Sequence, residues 1–287
     1  MGSPTTYADV VGALRAAGCV FAEDEADLII AAAQTPQRLA AMVRDRSSGL
    51  PLEQVLGWAE FCGLRIVVRP GVFVPRRRTE WLAAEAIALA SRVRRRPVVL
   101  DLCCGAGALA SAVGAAVDAE VHAADVEPAA VECARLNLGG RGRVYEGDLF
   151  QPLPRDLRGR VDVLVANVPY VPTDEIALLP AEARLHEPRV TLDGGADGLD
   201  VARRVAQAAP AWLAPGGSLL IETSERQVPT ATGVLEAVGL TVRVTVSDEL
   251  EATVVVGTAA DTAVRSTPSA GGTARWSTAS CRWSSSG

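Results

Sequence analysis

Between residues 98 and 257 the chain exchanges short β-branched runs for longer helical segments, and this alternation is what most constrains its fold. The runs Val98–Leu102, Glu120–Asp125, Arg143–Glu146, Val161–Ala166, Ser218–Glu222, Leu240–Val246 and Ala252–Gly257 read as strands. Helical spacing fills residues 79–94, 107–116, 127–138, 200–214 and 227–238. Strands separated by helices pair in parallel, with helices on both faces, so a doubly wound α/β sheet is expected. Only Ser247–Glu251 separate the last two strands. That is too short for a parallel crossover, so these two should form an antiparallel hairpin at the sheet edge.

Before residue 70 the pattern is different. Val10, Val11 and Leu14, then Ala26, Leu28, Ile29 and Ile30, then Leu39, Met42 and Val43 recur at helical spacing without strand alternation. Thr35-Pro36 is a helix start and Ser47-Ser48-Gly49 a stop. Residues 60–68 read as a short hairpin with Arg69-Pro70-Gly71 as its exit turn. Residues 1–70 are therefore expected to form a small helical unit with a hairpin linker, and 71–257 the sheet domain. Residues 258–287, rich in Ser, Thr, Ala, Gly and Arg, have no apolar period and contain two Arg-Trp-Ser copies. They read as a disordered tail. Met1-Gly2-Ser3-Pro4-Thr5-Thr6 matches a loose N-acylation pattern but reads as an ordinary start.

Composition narrows the function classes. The 287 residues are 49% hydrophobic and 22% charged, as in a globular enzyme. A net charge of −6 argues against a surface that holds a nucleic-acid backbone, which needs clustered basic side chains. The six cysteines (19, 62, 103, 104, 133 and 281) show no C-x-x-C pairing, and with only two histidines no metal site is expected. No apolar run approaches the roughly 20 residues of a membrane span, and the start lacks the basic-then-apolar order of a secretory signal. The expected place is the cytoplasm, with reduced thiols.

The chemistry-bearing residues fall at strand ends. Val98–Leu102 contains Asp101 and runs into Cys103-Cys104-Gly105-Ala106-Gly107, where two glycines let backbone approach a ligand. Ala110 occupies the third glycine position of a dinucleotide loop, which disfavours a nicotinamide cofactor. Asp125, some 20 residues after those glycines, can accept both hydroxyls of a ribose; it could equally cap the following helix, and the roles are compatible. Asp148 and Leu149, after Gly147, offer a carboxylate and an apolar face to an adenine ring, or simply a turn. Asn167-Val168-Pro169-Tyr170 follows the strand Val161–Ala166. A planar nitrogen with a delocalised lone pair attacks poorly unless acceptors hold its N–H groups. The Asn167 side-chain oxygen and the Val168 carbonyl can do so, Pro169 stiffens the turn, and Tyr170 offers a flat face. The bland alternative is a turn built from common turn residues.

In these blocks the chain resembles the HemK/PrmC-like protein-(glutamine-N5) methyltransferases, over roughly residues 50–257. The resemblance also rests on Val74-Pro75-Arg76 with Thr79-Glu80, His186-Glu187-Pro188-Arg189, and the run from Asp193 to Asp200. It implies a class I S-adenosylmethionine-dependent methyltransferase fold with a small N-terminal helical domain. It further implies methylation of a glutamine amide in the Gly-Gly-Gln loop of a release factor. The methionine part of the cofactor would lie over residues 103–107, its ribose on Asp125, its adenine by Asp148 and Leu149, and the glutamine on Asn167 to Tyr170. Three departures stand out: Cys103 for the family's first loop glycine, Val168 for a proline, and Arg77-Arg78 for Pro-Glu. Cys103 implies a loop whose first position needs no positive φ. The rival readings are an adenine amino-methyltransferase acting on DNA or RNA, and a non-catalytic protein that binds S-adenosylmethionine.

Overall fold

Four helices open the chain in a computed structural model that describes residues 6–261. α1 (Tyr7–Ala16) starts on a capping box, with Thr6 accepting from the Asp9 N–H and Asp9 from the Thr6 N–H. α2 (Ala22–Ala32) and α3 (Pro36–Ser47) follow, α3 being capped by Thr35 with Pro36 in its first turn. α4 (Leu52–Leu56) ends at Gly57, whose φ of 84° needs a residue without Cβ. The apolar faces close around Val10, Leu14, Ile29, Met42 and Val55. The hairpin β1 (Trp58–Phe61) and β2 (Leu64–Val67) packs Phe61 and Ile66 into the core of the sheet domain instead. Side chains thus change core between Val55 and Ala59, whereas the sequence pattern divides near residue 70.

The sheet domain runs α5 (Glu80–Ala90), β3 (Val98–Leu102), α6 (Ala108–Ala116), β4 (Glu120–Asp125), α7 (Pro128–Leu138), β5 (Gly142–Glu146), β6 (Val161–Ala166), α8 (Ala181–His186), α9 (Asp200–Ala208), β7 (Leu213–Thr223), α10 (Val228–Ala237), β8 (Thr241–Ser247) and β9 (Ala252–Thr258). The seven strands lie in the order β5-β4-β3-β6-β7-β9-β8, and only β9 runs against its neighbours. Alternate residues of the strands face opposite layers. Val99, Val121, Val163 and Val165 meet α5, α6 and α7, while Leu100, Leu102, Leu164 and Ile221 meet the side of α9 and α10. The order reverses between β3 and β6, so their carboxyl ends open a crevice at the topological switch point.

Four elements depart from the sequence expectations, the first being α5, which ends at Ala90 rather than 94. α9 stops at Ala208 rather than 214, because Pro210 cannot continue an α-helix and residues 209–211 form a 3₁₀ turn. β7 begins at Leu213, well before Ser218; it carries Gly216 and Gly217 through an irregular register opposite Val161. β9 runs through Thr258, paired with Ser218 and Thr241, so the segment expected to be disordered starts later than 258. The remainder of that tail, with its Arg-Trp-Ser copies, and residues 1–5 of the acylation-like start lie outside the described residues. Among the described residues no helix is long and apolar enough to cross a membrane.

One buried ion cluster ties the helical unit to the sheet domain. Arg46 on α3 donates Nε to Glu25 at 2.5 Å, Nη1 to the Leu50 carbonyl at 3.1 Å, and Nη1 also to Glu182 on α8. Removing one partner of such a pair strands the other charge, whereas replacing both with apolar groups is often neutral. Arg46→Ala is therefore expected to lower unfolding stability by about 3–5 kcal/mol. Arg46→Met combined with Glu25→Leu should recover most of that loss, both read by urea denaturation.

Candidate active site

The β3 to α6 loop is shaped by backbone close approach. Gly107 has a φ of 76°, and a Cβ there would lie 2.9 Å from the Ala134 Cβ, so glycine lets α7 pack against the loop. Cys103 has a φ of 55°, contrary to the expectation that this position needs no left-handed backbone. For a non-glycine residue this conformation costs about 1–2 kcal/mol. The Cys103 side chain recovers contact by packing against the β3, β6 and α9 core. Its thiol is pushed far up by burial and by the nearby carboxylates of Asp125, Asp101 and Asp148, so it stays neutral and poorly nucleophilic.

Asp125 closes β4 beside this loop. Its Oδ2 accepts the Gly105 N–H at 2.8 Å and its Oδ1 the Glu127 N–H at 2.9 Å. The helix cap itself is Glu127, so Asp125 holds the turn before α7 rather than capping it. Each carboxylate oxygen keeps lone-pair capacity for a hydroxyl. Burial raises the Asp125 pKa, opposed by the N–H groups of Glu127, Gly105 and Val126. Asp101 is fully buried, with Oδ2 accepting the Ala110 N–H at 3.0 Å and Oδ1 enclosed without a partner. Burial pushes its carboxyl up to about 8, and the Asp125 charge adds to the effect.

The Asn167 turn leaves β6 across the crevice. Its backbone is gripped by the loop at 193–200: a Cβ on Gly194 would come within 2.7 Å of the Pro169 carbonyl, and one on Gly198 would collide with the Tyr170 carbonyl. Gln227 donates Nε2 to the Tyr170 carbonyl at 2.9 Å and to the Asp197 carbonyl at 3.0 Å. The Tyr170 phenol donates to Glu222 at 3.4 Å and accepts from Arg78, whose guanidinium lies 5.5 Å from the ring centre. Burial and the Glu222 charge push the phenol well up, so Tyr170 is no base. Asn167 Nδ2 donates to Thr79 at 3.4 Å. Among the described residues nothing donates to Asn167 Oδ1, and no backbone N–H donates to the Val168 carbonyl.

These residues enclose a cavity of about 610 Å³, a size suited to a nucleoside-bearing ligand. Its wall includes Cys103, Gly105, Asp125, Asp148, Leu149 and all of Asn167, Val168, Pro169 and Tyr170. Asp101, Cys104, Ala106 and Gly107 stand behind the wall and shape the loop. Asp148 is also held by Arg204, at 2.5 Å. The wall fits S-adenosylmethionine: paired acceptors on Asp125 for a diol, Leu149 for a ring, carboxylates near a sulfonium. Glu187 carries a second structural role, binding Arg76 at 2.7 Å through both oxygens and the Val74 N–H at 3.2 Å. Sequence reasoning missed Gln227, although Ser224 and Gln227 form an S-x-x-Q capping box that could have marked it. It also gave no role to Glu222, which reads only as a strand end.

Comparison with known proteins points to methyltransferases. A family model described as Methyltransferase small domain matches residues 63–195. A release factor glutamine methyltransferase of Geobacter sulfurreducens is 39% identical over 211 residues, 71% of this chain and 72% of its own. A 4-amino-L-phenylalanine/4-methylamino-L-phenylalanine methyltransferase of Streptomyces pristinaespiralis is 36% identical over 232 residues, 79% of this chain and 78% of its own. Among solved structures, a methyltransferase from Pyrococcus furiosus superposes with a TM-score of 0.51 at 16% identity, over 69% of this chain and 90% of that one, a likeness of fold.

The buried Asp101 gives a pH signature. Its folded pKa of about 8 lies above the ordinary aspartate value of 3.8, so the folded state holds the proton more tightly. The stability contributed by that proton is complete below pH 3.8 and is lost as pH rises towards 8. Asp101→Asn removes this slope. Whatever fixed cost the amide carries, the Tm of the variant minus that of the wild-type protein should rise steadily from pH 4 to pH 8. A difference that stays flat in thermal scans over that range would show that Asp101 is ionised in the fold.

Proposed function

From the premise that this chain belongs to the family of release factor glutamine methyltransferases, we propose that it methylates a glutamine side-chain amide nitrogen in a release factor, at the Gly-Gly-Gln loop implied by the resemblance. Its sheet order and reversed β9 are those of the class I S-adenosylmethionine-dependent methyltransferase fold. The observation that carries the reading is the pair of acceptors without hydrogen-bond partners, Asn167 Oδ1 and the Val168 carbonyl, on two residues that line the same cavity as Asp125. A cytoplasmic site of action accords with a translation-factor substrate.

The cofactor supplies, when bound, an electrophilic sulfonium methyl. The chain's own residues hold the acceptor nitrogen. Two N–H groups directed at Asn167 Oδ1 and the Val168 carbonyl fix the amide plane and stabilise the positive charge that grows on nitrogen as its lone pair is used. Tyr170, locked by Gln227, Glu222 and Arg78, supplies a flat contact. No strong base is required early, because the nitrogen releases its proton after the N–C bond has formed. Val168 meets this demand as well as proline does, since it acts through its main-chain carbonyl.

A second reading is transfer to an aromatic amine. The Streptomyces pristinaespiralis relative matches 232 residues of this chain against 211 for the Geobacter sulfurreducens relative, and an aniline nitrogen is also planar. The adenine amino group gains no support from these relatives.

Mass spectrometry of a release factor and of 4-amino-L-phenylalanine, each incubated with the protein and labelled donor, separates the two readings. The expected result is one methyl group on a glutamine of the release factor. Label on the amino acid alone would favour the second. Asn167→Ala should lower kcat by about 10²–10³, with Val168→Pro near neutral. Asp125→Ala should weaken donor affinity about ten- to hundredfold, as a diol acceptor is lost and the Gly105 N–H is released. An unchanged dissociation constant by calorimetry would remove Asp125 from the site.

A further inference from the structure

Asn167 can accept the target N–H in only one of the two orientations of its side-chain amide. Flipped, it would present Nδ2, a donor, to another donor. The two orientations have nearly the same shape, so a neighbour must choose between them. That neighbour is Thr79, which begins the turn into α5 and is 4% exposed. Asn167 Nδ2 donates to Thr79 Oγ1 at 3.4 Å.

A threonine hydroxyl both donates and accepts, so Thr79 selects the amide orientation only if its own proton is committed elsewhere. Glu222 on β7 commits it. A carboxylate accepts and cannot donate. Burial raises the Glu222 pKa, and the Thr79 hydroxyl, the Arg78 charge and the Tyr170 hydroxyl oppose that rise. Glu222 Oε1 already faces Arg78 Nε at 3.2 Å and the Tyr170 hydroxyl at 3.4 Å. Oε2 is enclosed without a hydrogen-bond partner, and the Thr79 hydroxyl acts on the carboxylate as a whole by lowering its pKa. Arg78 supplies the counter-charge that allows a carboxylate at 2% exposure. This gives the departure at residue 78 a function: an acidic residue there would face Glu222 with like charge.

We propose that Thr79 is a positioning residue for methyl transfer: held by the Arg78–Glu222 pair, it accepts from Asn167 Nδ2 and so turns Asn167 Oδ1 towards the substrate nitrogen. The inference rests on the reading in which Asn167 Oδ1 holds the target N–H. Thr79 is not among the residues of the cavity wall, so it acts through Asn167 alone.

The test compares Thr79→Val, which removes the hydroxyl and keeps the shape, with Thr79→Ser, which keeps the hydroxyl. Both are made in the full chain. In Thr79→Val, kcat on a release factor should fall about tenfold or more while donor KM stays within about twofold. Thr79→Ser should stay within about threefold of the wild-type kcat. A second readout needs no substrate: the side-chain NH₂ pair of Asn167 in a ¹⁵N–¹H spectrum, identified by its absence in Asn167→Asp. It should shift and exchange faster in Thr79→Val and stay in place in Thr79→Ser. An unmoved pair in Thr79→Val, or equal kcat losses in both variants, overturns the proposal. A wild-type protein that leaves every glutamine unmethylated would sink the glutamine reading instead, while the spectrum still decides the relay.

Discussion

Two oxygens held without partners at the end of β6, the Asn167 Oδ1 and the Val168 carbonyl, are the constraint on which the rest of the site depends. A polar atom left unpaired in a dry interior costs about 1–3 kcal/mol, so these acceptors can persist only where they face a cavity. They must also be immobile, since an acceptor that swings loses the preorganisation that makes it useful. The surrounding fold meets both demands. The parallel sheet delivers the turn to the switch-point crevice, and Gly194 and Gly198 let a second loop lie directly on the Pro169 and Tyr170 carbonyls. Gln227 ties that loop to the turn through two carbonyls at once.

Charge is arranged around the same turn in two layers. Around the Cys103 loop, burial together with the Asp125 and Asp148 carboxylates keeps the Cys103 thiol protonated, an acidic setting compatible with a sulfonium cation. On the side of the Asn167 turn, Glu222 and Glu187 are each buried against an arginine, Arg78 and Arg76. Both arginines come from the segment between the hairpin and α5, so two ion pairs tie this segment to β7 and to the residue that follows α8. Glu182, next to the cavity, reaches Arg46 of the helical unit. The N-terminal helices are thereby coupled to the segment that follows the Asn167 turn.

Much of this was legible in the sequence, for physical reasons. β3, β4 and β6 are internal strands of the sheet, buried along nearly their whole length, and their limits in the structure are those of the pattern. The residues at their carboxyl ends, Cys103, Asp125 and Asn167, are near in sequence to what identifies them. β7 was harder because Gly216 and Gly217 hide a strand whose first half is held by backbone bonds, and α8, with no buried residue, has no periodicity to read. The backbone of Cys103 was misjudged, since a left-handed φ at a cysteine has no signature in sequence. Thr79, Glu222 and Gln227 sit 88, 55 and 60 residues from Asn167, so only the folded sheet shows that they meet.

The central claim is that Asn167 and Val168 receive the N–H groups of a planar nitrogen, and a structure of the protein with the demethylated donor and a glutamine-containing peptide tests it most directly. The account predicts the glutamine amide nitrogen at about 2.7–3.2 Å from both Asn167 Oδ1 and the Val168 carbonyl, with the amide plane against Tyr170. A peptide whose glutamine nitrogen lies away from both oxygens, or an Asn167 amide turned with Nδ2 towards it, would contradict the account.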